Sequence, residues 1–146
     1  MSGGKATAFE TALLELIFNG TTITGLAQNV TSGAYTNLYV ALHTADPGVG
    51  GDQTTHEAAY PGYAREAVVR TSGGWTVSGN SVSPAAAINF PAATGSPSET
   101  ETWASVGVAS SGASMILYRG PLAASIVVNA AGIIPQITTA TALTES

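Results

Sequence analysis

The chain has 146 residues, a formal net charge of −5, no cysteine and only 9% charged residues. This length favours one domain with its own core, and the lack of cysteine excludes disulfides and thiolate chemistry. Its four basic residues are scattered, and its uncharged tracts are broken by Gly, Pro and Ser. We therefore expect neither a nucleic-acid partner, which needs a basic patch, nor a membrane partner.

The first predicted element is a short amphipathic helix over residues 7–19. Thr7 and Glu10 have the spacing of a capping box, which predicts that their side chains satisfy free N–H groups at the helix start. Gly20 follows Asn19 and indicates the helix end. Five apolar residues recur at helical spacing on one face, namely Phe9, Ala12, Leu13, Leu16 and Ile17.

Leu14 and Phe18 fall on a second side of this helix, so its apolar face is wider than one contact with a sheet requires. Two interpretations follow. In the first, the helix packs on the β-structure of its own chain, as most amphipathic helices do. In the second, it docks on a neighbouring subunit.

The clearest strand pattern covers residues 37–43, where Leu38, Val40 and Leu42 alternate with Tyr39, Ala41 and His43. Pro47 lacks an N–H and Gly48 accepts a positive φ, so these residues predict a turn after the strand. Residues 20–36, before the strand, predict a loop with a weak strand over 22–24.

Downstream, short strand-like stretches alternate with turn signals. We predict strands at 63–70, 75–77, 85–90, 101–109, 114–119, 123–128 and 133–137. The polar segment 44–62 is long for a loop in a small domain, which is typical of a functional or disordered segment. Strands with this spacing favour an all-β fold, a sandwich or a barrel. We assign residues 1–6 to a flexible tail and 7–146 to one domain.

The two histidines are the first candidates for chemistry. Asp46 follows His43 by three residues, and Asp52, His56 and Glu57 form D-x-x-x-H-E. Neither is a recognised metal-ligand spacing, so we predict no metal site, cofactor or catalytic residue here. Because serines are numerous, the sequence alone does not exclude a Ser-His-Asp triad, although the G-x-S-x-G motif is absent.

Two further charged positions carry structural predictions. Arg65 and Glu66 point to opposite faces of a strand, so one of them faces the core or an interface. If Arg65 faces inward, it requires a carboxylate partner, and we predict Glu57 for that role. Glu99 and Glu101 share a face at i, i+2 and repel each other, so we expect them at the rim of the sheet.

Several segments together resemble a family of small structural proteins of tailed bacteriophages, often labelled tail fibre proteins, which includes capsid cement or decoration proteins. The most specific segment is LYVALHTADPG at residues 38–48. The resemblance covers about residues 8–138, and its other segments are 18–20, 63–65, 88–92, 103–108, 117–120 and 126–129.

This resemblance implies a jelly-roll-like antiparallel β-sandwich on the outer surface of a phage capsid. There it would form a homo-oligomer, a dimer rather than a trimer, and cement neighbouring subunits of the major capsid protein. It implies no enzymatic activity and no small-molecule substrate. We predict an interface that contains Phe9, Leu13, Leu16, Ile17, His43, Asp46, His56, Glu57 and Arg65.

Two other functions stay open. A tail fibre or baseplate component would need trimeric symmetry and usually a fibrous segment, whereas this sequence has neither heptads nor repeats. A carbohydrate-binding jelly roll would need a concave aromatic surface or convergent carboxylates, and the sequence indicates neither.

Overall fold

The structure is a computed structural model that describes residues 5–23, 26–27 and 33–145. Residues 1–4 of the tail predicted at 1–6, and residue 24 of the predicted weak strand, lie outside this part. The elements are α1 (Thr7–Asn19), β1 (Asn37–His43), β2 (Glu66–Val69), β3 (Trp75–Ser78), β4 (Ser81–Pro84), β5 (Ile88–Asn89), β6 (Glu99–Gly107), β7 (Ile116–Val128), β8 (Gln136–Ile137) and β9 (Leu143–Thr144).

These strands form three sheets, with the orders β2-β1-β6-β7, β3-β4-β9 and β5-β8. The pairs β1–β6, β6–β7, β3–β4, β4–β9 and β5–β8 are antiparallel. The described structure is mostly antiparallel β-sheet, and the fold agrees with the predicted all-β sandwich class preceded by one short helix.

The chain divides into two compact units. The first comprises Met1–Asn37, Val69–Ala86 and Thr138–Ser146, and the second comprises Leu38–Val68 and Ala87–Ile137. The first unit holds α1 and the β3-β4-β9 sheet. The second holds nearly all of the four-stranded sheet together with the β5-β8 pair. The assignment of residues 7–146 to one domain stays a prediction.

In the first unit, the helix has the predicted bounds but packs through the other face. Its buried side chains are Glu10, Leu14 and Phe18, spaced four residues apart. The Phe18 ring meets Trp75 of β3 edge to face, with ring centroids 4.8 Å apart. The helix therefore contacts its own unit through the side that contains Leu14 and Phe18. The wider apolar face predicted from the sequence is left half-buried or exposed.

The two helix ends have different outcomes. The predicted C-terminal stop is confirmed, because Gly20 adopts φ 69° and the Thr21 N–H donates to the Glu15 carbonyl at 3.0 Å. The predicted capping box is wrong. The N-cap residue is Ala6 and no side chain caps it, because the helix begins one residue before the position that would let Thr7 act as the cap.

In the second unit, β1 has the predicted bounds, but both of its faces become buried. Leu38, Val40 and Leu42 lie in the core as expected, and Ala41 and His43 are fully buried as well. The reason is that segment 53–58 folds back over the second face of β1. The Thr55 carbonyl, for example, lies 2.9 Å from Nδ1 of the buried His43 ring on that face.

The prediction of two strands at 114–119 and 123–128 is wrong, because β7 runs through Gly120 and Pro121 without a turn. Pro121 lies opposite Trp103, next to an irregularity in the β6–β7 register. β7 is also the edge strand of its sheet. A proline at a bulge of an edge strand removes no backbone hydrogen bond from the interior of the sheet. The strand can therefore continue through it.

The other short strands differ from prediction mainly in length. The predicted strands at 63–70, 85–90 and 133–137 shrink to β2, β5 and β8, whereas β4 falls on residues for which we predicted no strand. β3 and β4 form a hairpin whose turn contains Gly79 at φ 59°, and this turn falls between the strands predicted at 75–77 and 85–90.

Candidate interaction site

The 44–62 loop is anchored by a buried ion pair. The Arg65 side chain is 1% exposed; its Nε lies 2.6 Å from Glu57 Oε1, and its Nη2 lies 2.8 Å from Oε2. The predicted Arg65–Glu57 pair is thereby confirmed. Further guanidinium N–H groups donate to the carbonyls of Gly112 at 2.8 Å and Ala109 at 3.0 Å. The hydrogen bond to Glu57 raises the pKa of Arg65.

Gln53 links this ion pair to the sheet, and the sequence analysis did not identify it. It is fully buried, its Nε2 donates to the Tyr39 carbonyl at 3.0 Å, and its Oε1 accepts from Ser114 Oγ at 2.7 Å. A Cβ on Gly107 would lie 2.2 Å from the Gln53 amide group. A glycine inside the strand was therefore the one local signal of a close approach from outside it.

His43 extends the same buried network and is not available for chemistry. Its Nδ1 lies 2.9 Å from the Thr55 carbonyl and its Nε2 lies 2.8 Å from Ser105 Oγ. Since a carbonyl only accepts, Nδ1 carries the proton and Nε2 accepts from the serine hydroxyl. Burial lowers the pKa of His43, so the ring is neutral.

This serine–histidine pair has the spacing of a catalytic dyad but not its access. His43 is 0% and Ser105 is 2% exposed, so a substrate has no route to the hydroxyl. The two histidines do not converge either, because His56 is exposed on the loop. Within the described residues, no group of three or more His, Asp or Glu is placed to hold a metal ion.

The outer surface of the 44–62 loop is presented to solvent. Val49 is 97% exposed. His56 holds φ 54°, a backbone conformation that is uncommon for a residue other than glycine. Asp46 pairs with Arg119, whose guanidinium carbon lies 5.4 Å from the centroid of the Trp103 ring. The loop therefore combines a buried polar base with an exposed outer face.

The first unit presents a second candidate surface on the helix. Phe9 is 42% exposed, and Leu13, Leu16 and Ile17 are half-buried. These four residues, which we call the outer helix face, are the apolar residues that the sequence pattern placed together. When a helix buries one side, a second apolar side that stays accessible is typical of an interaction surface.

Arg70 holds the C-terminal end of this helix. Its guanidinium donates to the carbonyls of Leu16 and Ile17, the latter at 2.5 Å from Nε. The helix has no basic residue in its own last turn, so Arg70 supplies the positive charge that favours a helix C-terminus. Burial lowers the pKa of Arg70.

The comparison with protein families decides the class of this protein. The family described as podophage GP4 fiber I protein gp80 matches residues 4–144. This chain belongs to that family. No curated protein matches the chain. The gp80 fibre family is a phage structural family, so the chain is a bacteriophage structural protein of the virion.

The gp80 family match confirms the phage structural class implied by the resemblance, but the family description names a fibre and not a capsid protein. The predicted interface residues divide between two places. Phe9, Leu13, Leu16 and Ile17 lie on the outer helix face, Asp46 and His56 lie on the exposed loop, and His43, Glu57 and Arg65 lie in the network beneath it. In the described part of the chain, no helix is long and apolar enough to span a membrane.

Proposed function

We propose that this chain is a structural component of a podophage tail fibre or of its attachment to the tail, and that it has no enzymatic activity. The observation that carries this proposal is the fibre family match, which extends over residues 4–144. As a fibre component it would assemble with copies of itself, and it would need neither cofactor nor small-molecule substrate.

The geometry of the second unit is consistent with such a passive role. The groups that usually perform chemistry are used there for packing: His43 and Ser105 bind each other, and Arg65 binds Glu57. Aromatic rings such as those of Tyr60 and Phe90 are buried as well, so they are not available to stack on a sugar. A rigid network beneath an exposed loop preserves the shape of a contact surface.

We further propose the outer helix face and the 44–62 loop as the two contact surfaces with neighbouring subunits. Apolar residues at an accessible helix face contribute to association through the area that they bury. A low charged fraction limits the desolvation penalty at such contacts.

A second candidate is a capsid cement protein that binds the major capsid protein at the outer surface of the head. It is favoured by the LYVALHTADPG segment at 38–48, on which the resemblance to decoration proteins depends, and by the lack of heptads and repeats in the sequence. A cement protein works by mass action, because it binds the expanded shell and adds its binding free energy to that state.

Localisation on purified virions separates the two candidates. An epitope tag at the C-terminus, detected with gold-labelled antibody in negative stain, should mark the tail if the chain is a fibre component. Quantitative mass spectrometry should then give few copies per virion, in keeping with the tail symmetry. Label over the head, with copies that scale with the major capsid protein, would support the cement function and overturn the fibre proposal.

A further inference from the structure

The start of β6 contains two carboxyl groups that the ion pairs of the second unit do not use. We expected Glu99 and Glu101 at the rim of the sheet, and for Glu101 this is wrong, because its side chain is fully buried. The strand pair places Ile126 of β7 opposite Glu101, so β7 adds apolar cover and no charge at this position. Burying an ionised carboxylate without a partner is strongly unfavourable.

The two carboxyl groups have different partners. Both oxygens of Glu99 lie within hydrogen-bonding distance of the Ala59 N–H, at 3.0 and 3.1 Å, so the Glu99 carboxyl group accepts a hydrogen bond from the loop. Within the described residues, neither oxygen of Glu101 has a hydrogen-bond donor. A protonated Glu101 is itself a donor, and its acceptor is then the carboxylate of Glu99.

We propose that Glu99 and Glu101 form a carboxyl pair that shares one proton at neutral pH, and that this pair is a pH-sensitive latch between β6 and the end of the 44–62 loop. With the proton present, Glu99 is free to hold the Ala59 N–H. When the proton leaves, the negative charge of the buried Glu101 lies close to that of the half-buried Glu99, and the contact between β6 and Ala59 is weakened.

The charges around the pair act in the same direction. Burial raises the pKa of Glu101 to about 8, and the charge of Glu99 and a hydrogen bond to it contribute further. Near the end of the same loop, Tyr60 faces the same region. Burial, with the charges of Glu101, Glu66 and Glu99, raises the pKa of Tyr60 to about 12. Among the residues that the structure describes, no cationic group offsets the raised pKa of Glu101 or of Tyr60.

The proposal predicts the sign of a stability change. An unfolded Glu101 ionises near its ordinary pKa of 4.5, whereas the folded protein keeps the proton up to about pH 8. Between these values the folded state binds one proton more, so stability falls as pH rises, and the unfolding equilibrium constant increases about tenfold per pH unit. The buried His43 has a lowered pKa, so it affects the pH dependence of stability only below about pH 6.5. The window from pH 6.5 to 8 therefore isolates the carboxyl pair.

The test is urea unfolding of the full chain between pH 6.5 and 8.5, with amide hydrogen exchange at Ala59 measured alongside. The wild type should lose stability up to about pH 8, and the protection factor of the Ala59 amide, its exchange rate relative to the intrinsic rate at each pH, should decrease. Glu101→Gln should remove this dependence. Asp46→Asn is the matched control, because it removes one carboxylate of the same unit without touching the pair, and it should keep the wild-type slope.

Several results would overturn the proposal. One is a Glu101→Gln variant with the wild-type slope. If that variant does not fold, carboxyl carbon NMR of the wild type decides instead: a midpoint near pH 8 for Glu101 supports the latch and one near 4.5 excludes it. Stabilisation of the wild type by Ca²⁺ or Mg²⁺ at pH 8.5 would show that a cation, and not a proton, bridges the pair. None of these results depends on the proposed fibre function.

Discussion

Removing the carboxylate from the buried ion pair should destabilise the protein more than any change to a surface ion pair. Glu57→Ala leaves Arg65 charged in a position where its side chain is 1% exposed. Breaking a buried pair in this way typically costs about 3–5 kcal/mol. The guanidinium keeps its bonds to the carbonyls of Ala109 and Gly112. We therefore expect the lower end of that range, about 3 kcal/mol.

Urea unfolding at pH 7, followed by tryptophan fluorescence, measures this loss. For a chain of this size it corresponds to a decrease in Tm of about 6–12 °C. Asp46→Ala is the matched control, because its pair with Arg119 is partly exposed and should contribute no more than about 1 kcal/mol.

A double variant tests the physical reason for the loss. Glu57→Ala combined with Arg65→Met removes the unpaired charge and should be more stable than Glu57→Ala alone. The reasoning is refuted if Glu57→Ala is no more harmful than Asp46→Ala, or if the double variant recovers nothing.

Four further predictions concern other parts of the chain. Arg70→Met removes donors to two carbonyls at the end of α1 and should cost about 1–3 kcal/mol in urea unfolding, a loss that wild-type stability would contradict. In the Glu101→Gln background, which removes the opposing contribution of Glu101, stability should fall as pH decreases below about 6.5, because unfolded His43 takes up a proton that the buried ring does not; adding His43→Gln should reduce this slope in urea midpoints at pH 5 and 7. Leu14→Ala should lower the free energy of unfolding by about 2–5 kcal/mol, because Leu14 is fully buried. Leu13→Asp with Ile17→Asp should instead leave a folded chain that incorporates poorly into virions, and normal incorporation would assign that face to the fold alone.

The elements that the sequence predicted correctly have strong local signals. α1 and β1 were assigned with the bounds that the structure has, because one ends at a left-handed glycine and the other has strict alternation before a proline. The Arg65–Glu57 pair was also predictable, since a charged residue on the inner face of a strand requires a partner.

The errors arose where the outcome depends on residues far apart in the chain. Gly120-Pro121 was assigned to a turn because the sequence does not indicate which strand lies at a sheet edge. We predicted Glu101 at the rim because its side chain is polar. Its burial depends on other segments that pack around β6, and the local sequence does not indicate that packing. Gln53 was not predicted at all, because its partners on β1 and next to β7 are distant in sequence.

Cryo-electron microscopy of the intact virion tests the central claim most directly. The claim is that this member of the gp80 fibre family is a passive structural part of the tail fibre or of its attachment. We expect the two compact units to fit density at the tail, with the outer helix face and the 44–62 loop against neighbouring subunits. Density for the chain on the capsid shell, or a virion without the chain, would contradict the claim.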